Sequence, residues 1–296
     1  MKKIVRSLYY KLNNILQSTL FRYLRFVEYR KFGKYEFPYK KGEGSKKIHI
    51  LCTGPSMKKD VAILLKDRKF NEEDKLCVNF FLYDKSIFDI KPSVYCFAHM
   101  MFFTSHKNFL EELNKLVDWD MKLFFPLYGV KELTLIKCII TNPRITLCPI
   151  SCLTYRGDEA KRYDSWKKGE SVPSYVNISI MAEYIAINMG YTDIRLYGVE
   201  HTFFDDMTVD DDNQLCQIFH HMYGDEKTCV TGFYGEKLHI KDWIYDKYLT
   251  FLEHERMREY ADYLGVRIIN CTRNSLIDAY VRIAQIEIQN ENKDTK

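Results

Sequence analysis

Small polar residues, one glutamate and several histidines sit directly after short apolar runs, and that placement is the first sign of chemistry. The run at 48–51 leads into Thr53, Gly54, Pro55 and Ser56. The run that begins at 76 meets Asn79, and the one at 94–97 meets Ala98 and His99. The run at 194–197 gives way to Gly198, Val199, Glu200 and His201, and the one at 267–270 to Thr272, Arg273, Asn274 and Ser275. Histidine changes charge near neutral pH, so it suits removal of a proton from a hydroxyl group. His201, His220, His221 and His239 are the candidates. His201 is the runner-up to His239, on the ground that it follows a strand-ending Gly-x-Glu. Each of the four reads equally well as a polar loop residue, and His99 and His106 read as structural.

The turn at 53–56 has the makings of a phosphate seat. Gly54 lets backbone approach closely, and Pro55 suits a first helical position. The N–H groups of Ser56 and Met57 would then face an anion, helped by the helix dipole. The turn has neither the G-K-[ST] ending of a P-loop nor a G-x-G-x-x-G pattern. Asp205, Asp206, Asp210, Asp211 and Asp212 form either a divalent-cation site or a solvated loop. Arg156, Lys161, Arg162, Lys167 and Lys168 read as an exposed loop or as a grip for an anionic acceptor.

These residues need a scaffold that brings strand ends together. Apolar runs at 48–51, 76–81, 94–97, 122–127, 145–149, 194–197 and 267–270 read as strands. Helices are expected at about 57–65, 107–118, 175–189, 240–264 and 275–285, with a short helix or turn at 131–139. Gly190 and Gly265 supply helix stops. Strands alternating with helices predict an α/β fold, Rossmann-like, with a mainly parallel sheet and helices on both faces. The segment 154–172 reads as a polar loop and 199–239 as an irregular, acidic, His-rich insert. Residues 1–30 read as an amphipathic helix, with Ile4, Leu8, Leu12, Ile15, Leu16 and Leu20 on one stripe. Two units follow: a basic N-terminal arm and linker over 1–47, with the linker at 33–47, and a catalytic domain over 48–296.

The arm holds thirteen lysines and arginines against three acids, a net +10. The chain total of +4 therefore leaves the body at −6. Such an arm suits an anionic membrane surface or packing on a neighbouring subunit, and a homo-oligomer is left open. An acidic body argues against nucleic acid as a partner. The nine cysteines are odd in number and contain no C-x-x-C pair, so they read as free thiols in a reducing compartment without zinc-ligand spacing. No apolar run reaches the roughly 18 residues of a membrane span, and the N-terminus lacks a secretory apolar core. The expected location is cytoplasmic, peripheral to the inner face of the cytoplasmic membrane.

Four short motifs in order carry a resemblance: C-T-G-P-S-M at 52–57, V-N-F-F at 78–81, M-G-Y-T-D-I-R-L-Y-G-V-E at 189–200 and R-N-S-L-I at 273–277. From 48 to 285 the chain resembles the bacterial sialyltransferase-like glycosyltransferases of surface-polysaccharide and lipooligosaccharide synthesis. More distantly it resembles the hydroxymethylpterin pyrophosphokinase-like family. The first resemblance implies a single GT-A-like domain, a nucleotide-sugar donor that is a CMP-sugar, a glycan or glycolipid acceptor, inversion, and no metal or other cofactor. It places Thr53, Gly54 and Asn79 at the nucleotide and donor, the neighbourhood of Asn177 in the pocket, and Glu200 at the ribose or base. It assigns the general base to His239, just before the helix at 240–264. The chain departs from the pattern at Cys52-Thr53 in the first turn. It departs again at His201-Thr202-Phe203-Phe204, where paired tyrosines would be expected, so the donor sugar stays open. The alternatives are a magnesium-dependent pyrophosphokinase and a non-catalytic membrane-associated protein.

Overall fold

The computed structural model describes residues 2–33, 47–231 and 236–283. Most of the linker expected at 33–47, and everything after 283, lies outside them. Seven strands expected from the apolar runs are present: β1 (Lys47–Leu51), β2 (Asp74–Val78), β3 (Val94–Cys96), β4 (Met121–Pro126), β5 (Ile145–Ile150), β6 (Asp193–Tyr197) and β10 (Arg267–Asn270), although the run at 76–81 leaves the strand at Val78 and winds into a 3-10 turn over Asn79–Tyr83. With β11 (Val281–Arg282) they form an eight-stranded sheet in the order β11-β10-β6-β1-β2-β3-β4-β5. Every pairing in it is parallel.

The chain winds outward from β1 to β5 and then returns to lay β6 on the other side of β1. The strand order therefore reverses between β1 and β6. In open α/β sheets ligands bind beyond the carboxyl ends of the strands at such a switch point.

Strand pleating explains the two-sided core, because successive side chains go to opposite faces. Ile48, Ile50, Leu76, Val78, Val94 and Cys96 pack into one cluster, while Leu51, Cys77, Tyr95, Leu123 and Phe125 pack into the other. The helices are α1 (Lys2–Phe32), α2 (Met57–Leu64), α3 (Arg68–Glu72), α4 (Ile87–Ile90), α5 (Asn108–Leu116), α6 (Val130–Ile139), α7 (Glu159–Lys167), α8 (Ile178–Asn188) and α9 (Ile240–Leu264). The first cluster takes residues of α8 and α9, and the second takes residues of α2, α5 and α6. Helix α8 is buried all round, as its apolar composition requires. Helix α9 stops at Gly265, whose φ of 68° is left-handed.

Three expectations need correction. The polar loop at 154–172 contains α7, capped by Asp158 and anchored through Tyr163 and Trp166. The insert at 199–239 is not irregular throughout. It forms an antiparallel sheet of β7 (Met207–Val209), β8 (Leu215–His221) and β9 (Gly224–Cys229). No helix forms over 275–280; the chain instead runs to β11, beside β10. Asn274 turns it there at φ 55°, and Ser275 Oγ donates to the Val199 carbonyl at 2.6 Å while accepting from Asn270 and from Ile277 N–H.

Helix α1 docks through its polar side. Glu28 is buried and accepts from Ser151 Oγ at 2.8 Å, Ser18 Oγ meets Tyr155 Oη at 2.8 Å, and Phe21 meets the Tyr155 ring edge-on. Leu12, Ile15, Leu16, Leu20, Leu24 and Val27 are exposed. Among the described residues no helix is long and apolar enough to cross a membrane.

Candidate active site

A cavity of about 210 Å³ opens at the switch point. Its floor is the pair of loops that leave β1 and β6, and these loops touch through two glycines. Gly54 N–H donates to the Gly198 carbonyl at 3.0 Å. A Cβ on Gly54 would stand 1.7 Å from Glu200 Oε2 and 2.5 Å from the Gly198 oxygen, so only glycine fits. Gly198 has a φ of 68°, and a Cβ there would meet Met57 and the Cys52 carbonyl.

The same contact changes the reading of the phosphate turn. Glu200 Oε1 accepts from Ser56 N–H at 2.8 Å, and Met57 N–H donates to the Gly54 carbonyl at 3.1 Å. The start of α2 is thus closed by the protein's own carboxylate, which the helix dipole favours as it would favour a phosphate. Ser56 and Met57 do not offer free N–H groups to an anion. Glu200 is buried, and its Oε2 has no hydrogen-bond partner among the described residues.

Thr53, Gly54, Pro55, Asn79, Asn177, Gly198, Glu200 and His201 all line the cavity. Asn79 is held at φ 45°, a region asparagine tolerates better than most residues. Its carbonyl accepts from Tyr95 Oη at 2.6 Å, while its buried Oδ1 has no partner among the described residues. Asn177 caps α8, accepting from Ser179 N–H at 3.0 Å and from Ser179 Oγ at 2.9 Å, which leaves Nδ2 uncommitted. Ser56, Asn274 and Ser275 lie outside the lining. Asn274 is exposed, and Ser275 is buried where it ties the loop after β10 to the loop after β6.

His239 and His201 separate clearly. His239 precedes α9 with extended backbone, is exposed, and does not line the cavity. His201 lines it from a left-handed backbone position, φ 54°, and its ring is buried. His201 Nε2 lies 3.0 Å from Nε2 of His254 on α9. His254 Nδ1 is hydrogen-bonded to Tyr280 Oη at 3.1 Å and lies 3.2 Å from Glu183 Oε1 on α8, and Tyr280 Oη donates to Glu183 Oε2 at 2.5 Å. His254 and Glu183 are both fully buried.

This chain assigns the tautomers. Tyr280 spends its one proton on Glu183, so its oxygen accepts from His254. His254 Nδ1 therefore carries the proton and its Nε2 accepts. His201 Nε2 must then donate, which makes His201 Nδ1 the basic nitrogen. Burial first, then the neighbouring His254 and Lys247, push the His201 pKa well below its ordinary 6.5.

The inserted sheet forms the roof. Gln217, Ile218, Phe219, His220 and His221 of β8 line the cavity, and Met222 N–H donates to the Thr53 carbonyl at 2.9 Å. His220 is clasped between two carboxylates, Nε2 to Asp206 at 2.7 Å and Nδ1 to Asp225 at 2.8 Å. Those bonds raise its pKa above 6.5, the one to Asp206 most. Both ring nitrogens are committed, so His220 fastens the roof rather than donating to a substrate. The acidic run lies outside the lining. One of its members does come together with two thiols: ligand atoms of Asp210, Cys216 and Cys229 lie within 4.8 Å of one another. Three ligands on a surface hairpin are one short of a closed zinc tetrahedron. The thiols pair across β8 and β9, a proximity that the sequence spacing did not reveal.

Sequence reasoning missed His254, Glu183 and Tyr280. Glu183 left one signal, as the only acid within the otherwise apolar helix at 178–188.

A parallel sheet with a polar cavity at its switch point defines a Rossmann-like α/β protein. Among solved structures the chain is similar to the MAf glycosyltransferase from Magnetospirillum magneticum AMB-1, with a TM-score of 0.51 at 10% identity over 88% of this chain. The match takes in 38% of that protein, so this chain spans less than half its length. A looser likeness, TM-score 0.41 at 14% identity, covers 80% of this chain and 86% of the sialyltransferase CST-II, solved with a trisaccharide acceptor and CMP. No family model matches the chain, and no curated protein matches it in sequence. The likeness to MAf shows a fold shared with a glycosyltransferase.

Proposed function

We propose that the chain is an inverting glycosyltransferase that moves a sugar from a nucleotide donor, a CMP-sugar, to a glycan acceptor in bacterial surface-polysaccharide or lipooligosaccharide synthesis. The observation that carries this reading is His201, a base of fixed tautomer in the wall of the switch-point cavity. His201 Nδ1 takes the acceptor hydroxyl proton, and the positive charge that develops on the two imidazoles is stabilised by Glu183. His201 replaces His239 in this role because His239 stands outside the cavity.

The lining favours a monophosphate donor. Among the described residues that line it there is no lysine or arginine, and the single carboxylate, Glu200, already caps α2. A diphosphate held by a divalent cation wants several oxygen ligands. A monophosphate needs fewer donors, and the hydroxyls of Thr53 and Thr202 and the amides of Asn79 and Asn177 are at hand. The same argument disfavours the pyrophosphokinase reading.

The exposed stripe of α1 supports a peripheral seat on an anionic membrane. Its apolar side chains face away from the body, and the arm is strongly basic.

Calorimetry with CMP, UDP, GDP and ATP, each with and without magnesium, tests the donor. Metal-independent binding of CMP is the expected result. Binding of only UDP or GDP with metal overturns the donor assignment, and binding of ATP alone overturns the transferase.

A further inference from the structure

A second cavity, of about 310 Å³, lies beside α7 and α9. Three arginines line it, Arg156, Arg162 and Arg256, together with Tyr155, Tyr245 and Trp166. The charges do not cancel. Arg256 is held by the buried carboxylate of Glu253, the one acid of the lining, which also accepts from Ser174 N–H at 3.4 Å. Arg162 spends one N–H on the Gly157 carbonyl at 3.2 Å, and neither it nor Arg156 forms an ion pair among the described residues. Two guanidinium groups are therefore left at one concave surface. Trp166, buried in the same wall, keeps an indole N–H with no acceptor among the described residues.

Guanidinium forks match carboxylate and phosphate oxygens in two-pronged geometry. Exposed Tyr245 adds an aromatic face on which the apolar side of a ring can lie. We infer that this cavity binds an acidic sugar, one that carries a phosphate or carboxylate group. On the glycosyltransferase reading, that sugar belongs to the acceptor. The position agrees: Glu253 of this cavity and His254 behind the catalytic one are consecutive on α9. Ser174 and Asn177, three residues apart, line the two cavities in turn.

The test is calorimetric titration of the full chain with glucose 6-phosphate, glucuronic acid, glucose and inorganic phosphate, with CMP titrated in parallel. One or both acidic sugars are expected to bind and glucose not to. Arg156→Ala and Arg162→Ala are each expected to weaken that binding about tenfold or more, the scale of a charge-assisted hydrogen bond. CMP affinity should stay unchanged in both variants, which also shows that they fold. The inference is overturned if neither acidic sugar binds, if glucose or free phosphate binds as tightly, or if the double variant retains full affinity. Loss of CMP binding alone would sink the donor reading and leave this one standing.

Discussion

His201 Nε2 and His254 Nε2 face each other at 3.0 Å, although 53 residues separate them in the chain. Two imidazoles that share one hydrogen bond cannot both be protonated at that bond. The carboxylate of Glu183, acting through Tyr280, decides which of them donates, and so which nitrogen of His201 is left free to accept a proton.

His201→Ala should lower kcat by about 10²–10⁴-fold, the usual worth of a general base. CMP affinity should change little. If His239→Ala produces the large loss instead, the base assignment is wrong.

Glu183→Gln keeps the shape of the buried chain but removes its fixed polarity. A loss in kcat with the donor Kd unchanged is expected, together with a displaced acidic limb of the pH–rate profile. A variant that loses only thermal stability and keeps the wild-type profile would make Glu183 purely structural.

The pH dependence of stability follows from the same site. His201 is depressed in the folded state, so below its ordinary 6.5 the unfolded chain binds the extra proton first. Its contribution is fully present above about 6.5 and is lost as pH falls from there toward the folded value. His220 runs the other way. Its raised pKa gives a contribution present below 6.5 and lost as pH rises through the folded value. NMR titration of the two rings should place one midpoint on each side of 6.5, and Asp206→Asn should bring the His220 midpoint down.

Gly54→Ala should cost roughly 1–3 kcal/mol, because its Cβ has no space between a buried carboxylate and a carbonyl. Thermal melts and CMP titration should both register it. A silent Gly54→Ala would mean that the two strand-end loops are not in contact as described.

Wild-type protein should sediment with vesicles containing phosphatidylglycerol and not with neutral phosphatidylcholine vesicles. Leu16→Asp with Leu20→Asp should abolish this without altering the melting temperature, since both side chains are exposed. A wild-type chain that ignores both vesicles but forms dimers broken by these substitutions would assign the stripe to a second copy.

The sheet was legible because buried parallel strands read as bare apolar runs, and α8 and α9 because glycine ends them. The roof was not. In β8 the sequence L-C-Q-I-F-H-H shows no clean alternation, because that strand faces the switch-point cavity as well as its own small sheet. Helix α7 was hidden by its polar composition, with Tyr163 and Trp166 as its large buried side chains. The stretch from 275 reads as a helix by spacing, but the side chain of Ser275 satisfies backbone groups that a helix would have used. The site was half legible. Strand ends announced Thr53, Asn79, Glu200 and His201, while His254 and Tyr280 reach His201 and Glu183 only through tertiary packing.

The antiparallel roof enters the chain between β6 and α9 and takes no strand from the central sheet. Residues 207–229 can therefore change in length without breaking a pairing of the eight-stranded sheet, provided the Met222–Thr53 bond that seats the roof is kept. On the glycosyltransferase reading, exchanging this one segment is a direct route to a different sugar preference.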